Sequence, residues 1–263
     1  VIPQDCQLTP RHKDIPAWDE MPDGFKPVLR REMEVYAGFL EYTDHHVGRL
    51  FDSLTKLGIA DNTVIYYIAG DNGASAEGSL NGCYNEMSYF NGLQALETPE
   101  YLGARLDKLG GPESYNHYAV GWAHAMNTPY QWTKQVASHW GGTRNGTVVH
   151  WPKGIKAKGE IRSQFTHVID VAPTILEAAG IPEPLSVNGI AQSPIEGVSL
   201  LYAFNDAKAA ERHETQYFEM FGNRGIYHQG WTAVTRHTYP WSKEKAPALD
   251  DDVWELYDTN KDW

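Results

Sequence analysis

Two groups of residues in this sequence carry side chains suited to holding charge. Asp71 and Asn72 are adjacent in Gly70-Asp71-Asn72-Gly73 and offer one anionic and one neutral oxygen, the ligand types that hard cations such as calcium or magnesium prefer. Lys134, His139 and Arg144 lie around Gly141-Gly142; cationic groups beside glycines, whose backbone can approach closely, can neutralise an oxyanion. Each group also has a plainer reading. Asp-Asn-Gly is a common turn, and spacing alone ranks the turn ahead of a metal site. Basic residues on a glycine-rich loop ordinarily face solvent. Asp44-His45-His46 falls on a helical stretch where neighbours point apart, which favours packing or capping over metal ligation. Trp122, Trp132, Trp140 and Trp151 are candidates to wall an aryl pocket, with core packing the default for large aromatics.

The elements that must position these residues are readable from periodicity. Apolar residues from Met33 through Tyr36, Phe39, Leu40, Val47, Leu50 and Leu54 to Leu57 recur at helical spacing, and Gly58 supplies a stop, so one amphipathic helix is expected over about 28–57. Thr63 to Ala69 is short, β-branched and apolar, as expected of a strand buried on both faces of a parallel sheet, and it delivers Asp71 and Asn72 to the edge where α/β folds bind ligands. Residues 1–28 are rich in proline and polar residues and read as an extended surface segment. Residues 74–128 show no sustained period and read as a long irregular excursion with short helices near 100–109. A second strand is expected at Thr147 to Trp151, and a helix over about 170–179, with Pro173 in its first turn and Gly180 ending it. Short alternating runs at 215–221, 225–227, 231–235 and 254–257 suit a small antiparallel sheet.

The chain has 263 residues, 41% of them hydrophobic and 21% charged, a composition of globular proteins. No run is long and apolar enough for a membrane-spanning helix, and the first residues show no signal-peptide pattern; cytoplasmic and periplasmic locations both fit. The formal net charge of -12 disfavours a nucleic-acid partner, which would need clustered Lys and Arg. Cys6 and Cys83 are too few for a disulfide framework and are expected as free thiols.

Taken together, the segments resemble those of a known family. Asn62-Thr63-Val64-Ile65-Tyr66-Tyr67-Ile68-Ala69-Gly70-Asp71-Asn72-Gly73-Ala74-Ser75 resembles the second metal motif of sulfatases. Thr128-Pro129 with Lys134, His139 and Gly141-Gly142 is similar to the family's lysine segment, and Val148-Val149-His150-Trp151-Pro152 to the strand after it. Asp170-Val171-Ala172-Pro173-Thr174 resembles its Asp-(Ile/Val)-x-Pro-Thr helix, and Trp254-Glu255-Leu256-Tyr257-Asp258 its closing strand. The likeness runs in order from about Arg30 to Asp262 and is nearest to bacterial large arylsulfatases. It implies an α/β fold of the alkaline-phosphatase type, a mixed or parallel sheet flanked by helices over 1–204, with a small antiparallel-sheet subdomain over 205–263. It also implies that Asp71 and Asn72 coordinate calcium and that Lys134 binds a sulfate oxygen. His139 would line the same pocket, although its spacing from Lys134 and the Trp140 after it depart from the family's commoner Glu-Gly-Gly form.

The departures limit what this chain is expected to do by itself. Sulfatases attack with a formylglycine made in a Cys/Ser-x-Pro-x-Arg motif, and no such motif occurs; Cys6 is followed by Gln7-Leu8-Thr9-Pro10-Arg11, with the proline and arginine at other offsets. The family's paired N-terminal aspartates and its leaving-group lysine and histidines are missing too, since Asp250-Asp251-Asp252 sits in an acidic C-terminal loop. The expectation is a C-terminal portion of an arylsulfatase, acting on sulfate esters with the nucleophile supplied from further upstream. Calcium would be held weakly by two ligands, and exposed strand edges and apolar area would favour self-association. The alternatives are a phosphonate or phosphate monoester hydrolase of the same superfamily, and a non-catalytic binding module.

Overall fold

A computed structural model describes residues 6–262. Helix α1 covers Lys26–Lys56, with Pro27 in its first turn and Gly58 in the left-handed region after its end, the helix expected from the sequence. It buries only Val28, Leu29 and Glu32. From Phe39 through Leu40, Leu50 and Phe51 to Leu57 its apolar stripe faces outward.

Strands β1 (Ile65–Ile68) and β2 (Thr147–His150) pair antiparallel, with Ile65 opposite His150 and Ile68 opposite Thr147. This corrects the expected parallel strand buried on both faces, because Tyr67 and Ile68 are exposed and β1 has no second neighbour among the described residues. A β-branched apolar run fixes the strand but says nothing of the direction of its partner.

The excursion after β1 carries three short helices, α2 (Glu86–Phe90), α3 (Pro99–Gly103) and α4 (Val120–Asn127). It is irregular as expected, yet it contains much of the core: Cys83, Tyr84, Leu102, Leu109 and Val120 are all buried. The segment before α1 is likewise no mere surface strand. Ile15 lies in a core cluster with Trp132, Tyr239 and Trp241, and Met21 packs with Leu29 and Ala119; residues 1–5 of that segment lie outside the described residues.

After α4 come α5 (Trp140–Thr143), β2 and α6 (Val171–Ala179). A small hairpin of β3 (Ser186–Val187) and β4 (Ile190–Ala191) and the short helix α7 (Leu201–Phe204) follow. The chain ends in a four-stranded antiparallel sheet in the order β5 (Thr215–Met220), β6 (Asn223–His228), β7 (Trp231–Thr235), β8 (Trp254–Asp258). The α/β class and the C-terminal antiparallel sheet are as the sequence indicated. This sheet docks on the lysine segment: Asn223 Nδ2 donates to the Gln135 carbonyl at 3.0 Å, and a Cβ on Gly225 would stand 2.7 Å from the Ser138 carbonyl oxygen. Cys6 and Cys83 are free thiols, and no helix among the described residues is long and apolar enough to cross a membrane.

Candidate active site

Asp71 and Asn72 leave β1 where β2 begins, with the Ala69 amide donating to the Gly146 carbonyl at 3.0 Å. Three glycines then let three segments meet backbone to backbone. A Cβ on Gly73 would lie 1.6 Å from the Gly141 carbonyl oxygen, one on Gly141 2.1 Å from the Gln131 oxygen, and one on Gly142 2.4 Å from the Val136 oxygen. No side chain fits at any of them, which is a concrete use for the glycine pair that spacing alone left open. Hydrogen bonds complete the junction. The Gly73 amide donates to the Gly142 carbonyl at 2.9 Å, and the Lys134 amide to the Ala74 carbonyl at 3.1 Å. Asn127 bridges both sides, accepting from the Ala74 amide and donating to the Trp132 carbonyl, each at 2.9 Å. The loop that carries Asp71 and Asn72 therefore abuts the segment that carries Lys134.

The lysine is held in an unusual stretch of backbone. Trp132 and Gln135, on either side of Thr133 and Lys134, have φ values of 70° and 76°. Left-handed backbone costs a non-glycine residue roughly 1–2 kcal/mol, and such conformations concentrate where the surroundings impose them at functional sites. The Lys134 ammonium donates to Glu77 Oε2 at 3.0 Å. Glu77 also accepts from the Ser75 hydroxyl at 2.9 Å and from Gln135 Nε2 at 3.2 Å. Burial works to raise the Glu77 carboxyl, but the Lys134 ammonium and the Ser75 hydroxyl outweigh it and leave it below its ordinary range. Sequence reasoning missed Glu77, although it follows the Asp71-Asn72 pair in the same loop. Ligand atoms of Glu77, Glu86 and His117 lie within 4.8 Å of one another; in this structure the Glu77 carboxylate is already engaged by Lys134, Ser75 and Gln135.

Asp71 is exposed; it accepts from Asn72 Nδ2 at 2.9 Å and has no ion-pair partner among the described residues. One carboxylate and one amide oxygen are hard donors that fit calcium in kind, but calcium takes six to eight oxygens. The pair therefore supplies part of a coordination shell.

His139 makes a different set of contacts. It is buried, with Nδ1 2.9 Å from the Ser138 hydroxyl, its ring edge-on to Trp132 and its Nε2 3.7 Å from Glu255 on β8. That separation is too long for a hydrogen bond, so Nε2 is buried without one. The His139 imidazole, together with the Tyr257 hydroxyl, still draws the Glu255 carboxyl down to about 2. The His139 side chain thus faces the C-terminal sheet, whereas that of Lys134 is tied to the loop of Asp71, Asn72 and Glu77. Of the acidic loop, Asp252 holds Arg224 at 2.6 Å and His237 at 3.0 Å.

Two cavities open elsewhere on the surface, one beside Arg11, His124 and Trp132 and one beside Arg236 and Glu255. Neither is lined by Asp71, Asn72, Lys134 or His139.

Comparison with known proteins gives two family matches: the Sulfatase family over residues 4–181, and the family described as N-sulphoglucosamine sulphohydrolase, C-terminal, over 131–263. An uncharacterized sulfatase of Schizosaccharomyces pombe is 30% identical over 94% of this chain and 41% of its own length. An arylsulfatase of Klebsiella aerogenes is 30% identical over 74% of this chain and 39% of its own. The chain thus spans about two fifths of the length of these curated relatives. Among solved structures, one of a protein in complex with its substrate D-glucosamine-2-N,6-O-disulfate aligns over 82% of this chain and 32% of its own, with a TM-score of 0.45 and 21% identity. Another, from work on glycosaminoglycan metabolism by Bacteroides thetaiotaomicron, aligns over 83% of this chain and 37% of its own, with a TM-score of 0.48 and 19% identity.

Proposed function

This chain belongs to the sulfatase family, and from that premise we propose that it is the C-terminal part of a sulfuric ester hydrolase of the arylsulfatase type, holding one side of the sulfate site. The observation that carries this reading is the backbone junction of Gly73 with Gly141 and Gly142, which sets the Asp71-Asn72 loop against the Lys134 segment. Asp71 and Asn72 are the residues that would hold calcium; the ion, when bound, supplies a fixed positive charge that polarises a sulfate oxygen. Lys134 balances sulfate charge with an ammonium that Glu77 orients from the same loop. The rest of the coordination shell and the formylglycine nucleophile belong to chain upstream of Val1. Relatives of which this chain covers only about two fifths, and the outward apolar face of α1, support that division. Left uncovered, this face favours self-association.

The test is turnover of 4-nitrophenyl sulfate, 4-nitrophenyl phosphate and a phenylphosphonate ester by the protein at its natural length. The sulfate ester should have the highest kcat/KM, and Lys134→Ala should lower it by about 10²–10³, the loss typical of removing one charge-stabilising donor. The 263-residue chain alone should show no turnover. A Lys134→Ala protein with unchanged kcat/KM, or a preference for the phosphorus esters, refutes the reading.

A further inference from the structure

Among the described residues, one group of three His, Cys, Asp or Glu side chains brings its ligand atoms within 4.8 Å of one another: Glu77, Glu86 and His117, each half-buried. Backbone hydrogen bonds fix two of them side by side. The Cys83 amide donates to the His117 carbonyl at 2.9 Å, the His117 amide to the Cys83 carbonyl at 3.1 Å, and the Glu86 amide to the Tyr115 carbonyl at 2.9 Å. Behind this ladder the Glu97 carboxylate accepts from the Tyr84 amide at 2.7 Å and the Asn85 amide at 3.1 Å. Side chains carried on such a frame are held more precisely than on a free loop.

Each of the three has a lone pair to spare. The Glu86 carboxylate makes no hydrogen bond or ion pair with the described residues, and neither it nor His117 Nε2 is shut off from solvent. His117 Nδ1 stands 2.9 Å from the Tyr118 carbonyl and 3.2 Å from the Gly78 amide. Donation from Nδ1 to the carbonyl, the tautomer that the shorter contact favours, leaves the lone pair on Nε2, the arrangement that orients metal-ligating histidines. An ionised carboxylate has about four lone-pair sites. On Glu77, Oε2 takes the Lys134 ammonium and the Ser75 hydroxyl while Oε1 takes only Gln135 Nε2, so one site on Oε1 is open. Two carboxylates against one ammonium leave the group net anionic.

We propose that Glu77 Oε1, the Glu86 carboxylate and His117 Nε2 bind a divalent ion of the zinc class, with water in the fourth position. An imidazole beside two carboxylates suits zinc, whereas calcium takes oxygen donors. A tetrahedral zinc ion spaces its donors about 3.3 Å apart, so side-chain rotation has at most about 1.5 Å to close. The site is distinct from the Asp71 and Asn72 pair and does not depend on the sulfatase reading. Isothermal titration of the protein at its natural length with zinc chloride, in excess calcium, tests it. Saturable zinc binding is expected, and Glu86→Gln and His117→Gln should each weaken it by about tenfold or more, since groups that merely orient metal ligands are worth about 10–100-fold in affinity. Glu86→Gln removes no side-chain contact of the fold, and Asp71→Asn should leave zinc affinity unchanged. The proposal is overturned by absence of saturable zinc binding, by zinc affinity that Glu86→Gln or His117→Gln leaves unchanged, or by an equal loss in Asp71→Asn.

Discussion

Asp170 and Asp71 are both aspartates at the edges of regular elements, and they occupy opposite kinds of site. Asp170 is fully buried just before α6, and its oxygens accept from the His167 amide at 2.8 Å, the Val198 amide at 2.7 Å and His213 Nδ1 at 2.8 and 2.9 Å. Its own carbonyl takes the Thr174 hydroxyl at 2.6 Å. These bonds tie α6, the segment before α7 and the approach to β5 into one hub. Asp71 is exposed and accepts one side-chain hydrogen bond, from its neighbour Asn72. In the first case the chain satisfies the carboxylate completely; in the second it leaves lone pairs for something else. A saturated buried carboxylate reads as structure, and an open one at a glycine-built junction is what the proposed calcium site requires.

The largest effect that would sharpen this contrast is on stability. Asp170→Ala leaves two amides and an imidazole buried without their acceptor, and should cost about 3–5 kcal/mol in urea unfolding. A loss below about 1 kcal/mol would break the contrast, because typical surface substitutions cost no more than that.

Glu32 tests the same logic from the other side, since it is buried with both oxygens unpartnered and would touch any Cβ on Gly82. Burial pushes its carboxyl well above the ordinary 4.5, with the Glu97 charge adding to the rise and the Ala119 backbone opposing it. The folded state therefore prefers the protonated form. That preference is whole below pH 4.5 and is lost as pH rises from there through the folded-state value. Glu32→Met should accordingly raise the unfolding free energy from urea titration at pH 8, by about 1–3 kcal/mol, and change it little at pH 4. Destabilisation at pH 8 would show that the acid has a partner after all.

Glu255 should give a smaller effect of opposite sign. Its carboxyl is held at about 2 against an ordinary 4.5, chiefly by His139, so its ionised form favours the folded state. That contribution is complete above pH 4.5 and disappears as pH falls through about 2. Because the side chain is 45% exposed, solvent screening keeps the contribution to about 1 kcal/mol or less. Glu255→Gln should flatten the unfolding free energy between those two pH values, and an unchanged acid limb would remove the His139 contact from the account. Smallest of all, Asp71→Asn without calcium should shift stability by no more than about 0.5 kcal/mol, as for an exposed position.

The sequence revealed what has a period or a local signature. Helix α1 with its Gly58 stop, α6 between Pro173 and Gly180, and the strands of the C-terminal sheet all follow from spacing and terminators. Glu32 was legible in principle, as a charge on the Val28 and Tyr36 row of α1 at helical spacing. The Asp170 hub was not, because its partners lie 28 and 43 residues away and nothing local announces them. The excursion after β1 hid core residues such as Cys83, Leu102 and Val120, since isolated apolar residues without a period look like loop. At the junction, the residue types of Asp71, Asn72 and Lys134 were readable, whereas the contact of Gly73 with Gly141 that brings their two segments together needed the folded chain.

Calcium titration by isothermal calorimetry, on the protein at its natural length and on its Asp71→Asn variant, tests the account at its centre. The account predicts saturable calcium binding that the substitution weakens by about tenfold or more, since affinity follows ligand charge. Equal calcium affinity in the two proteins, or no calcium binding by the unsubstituted one, would contradict it.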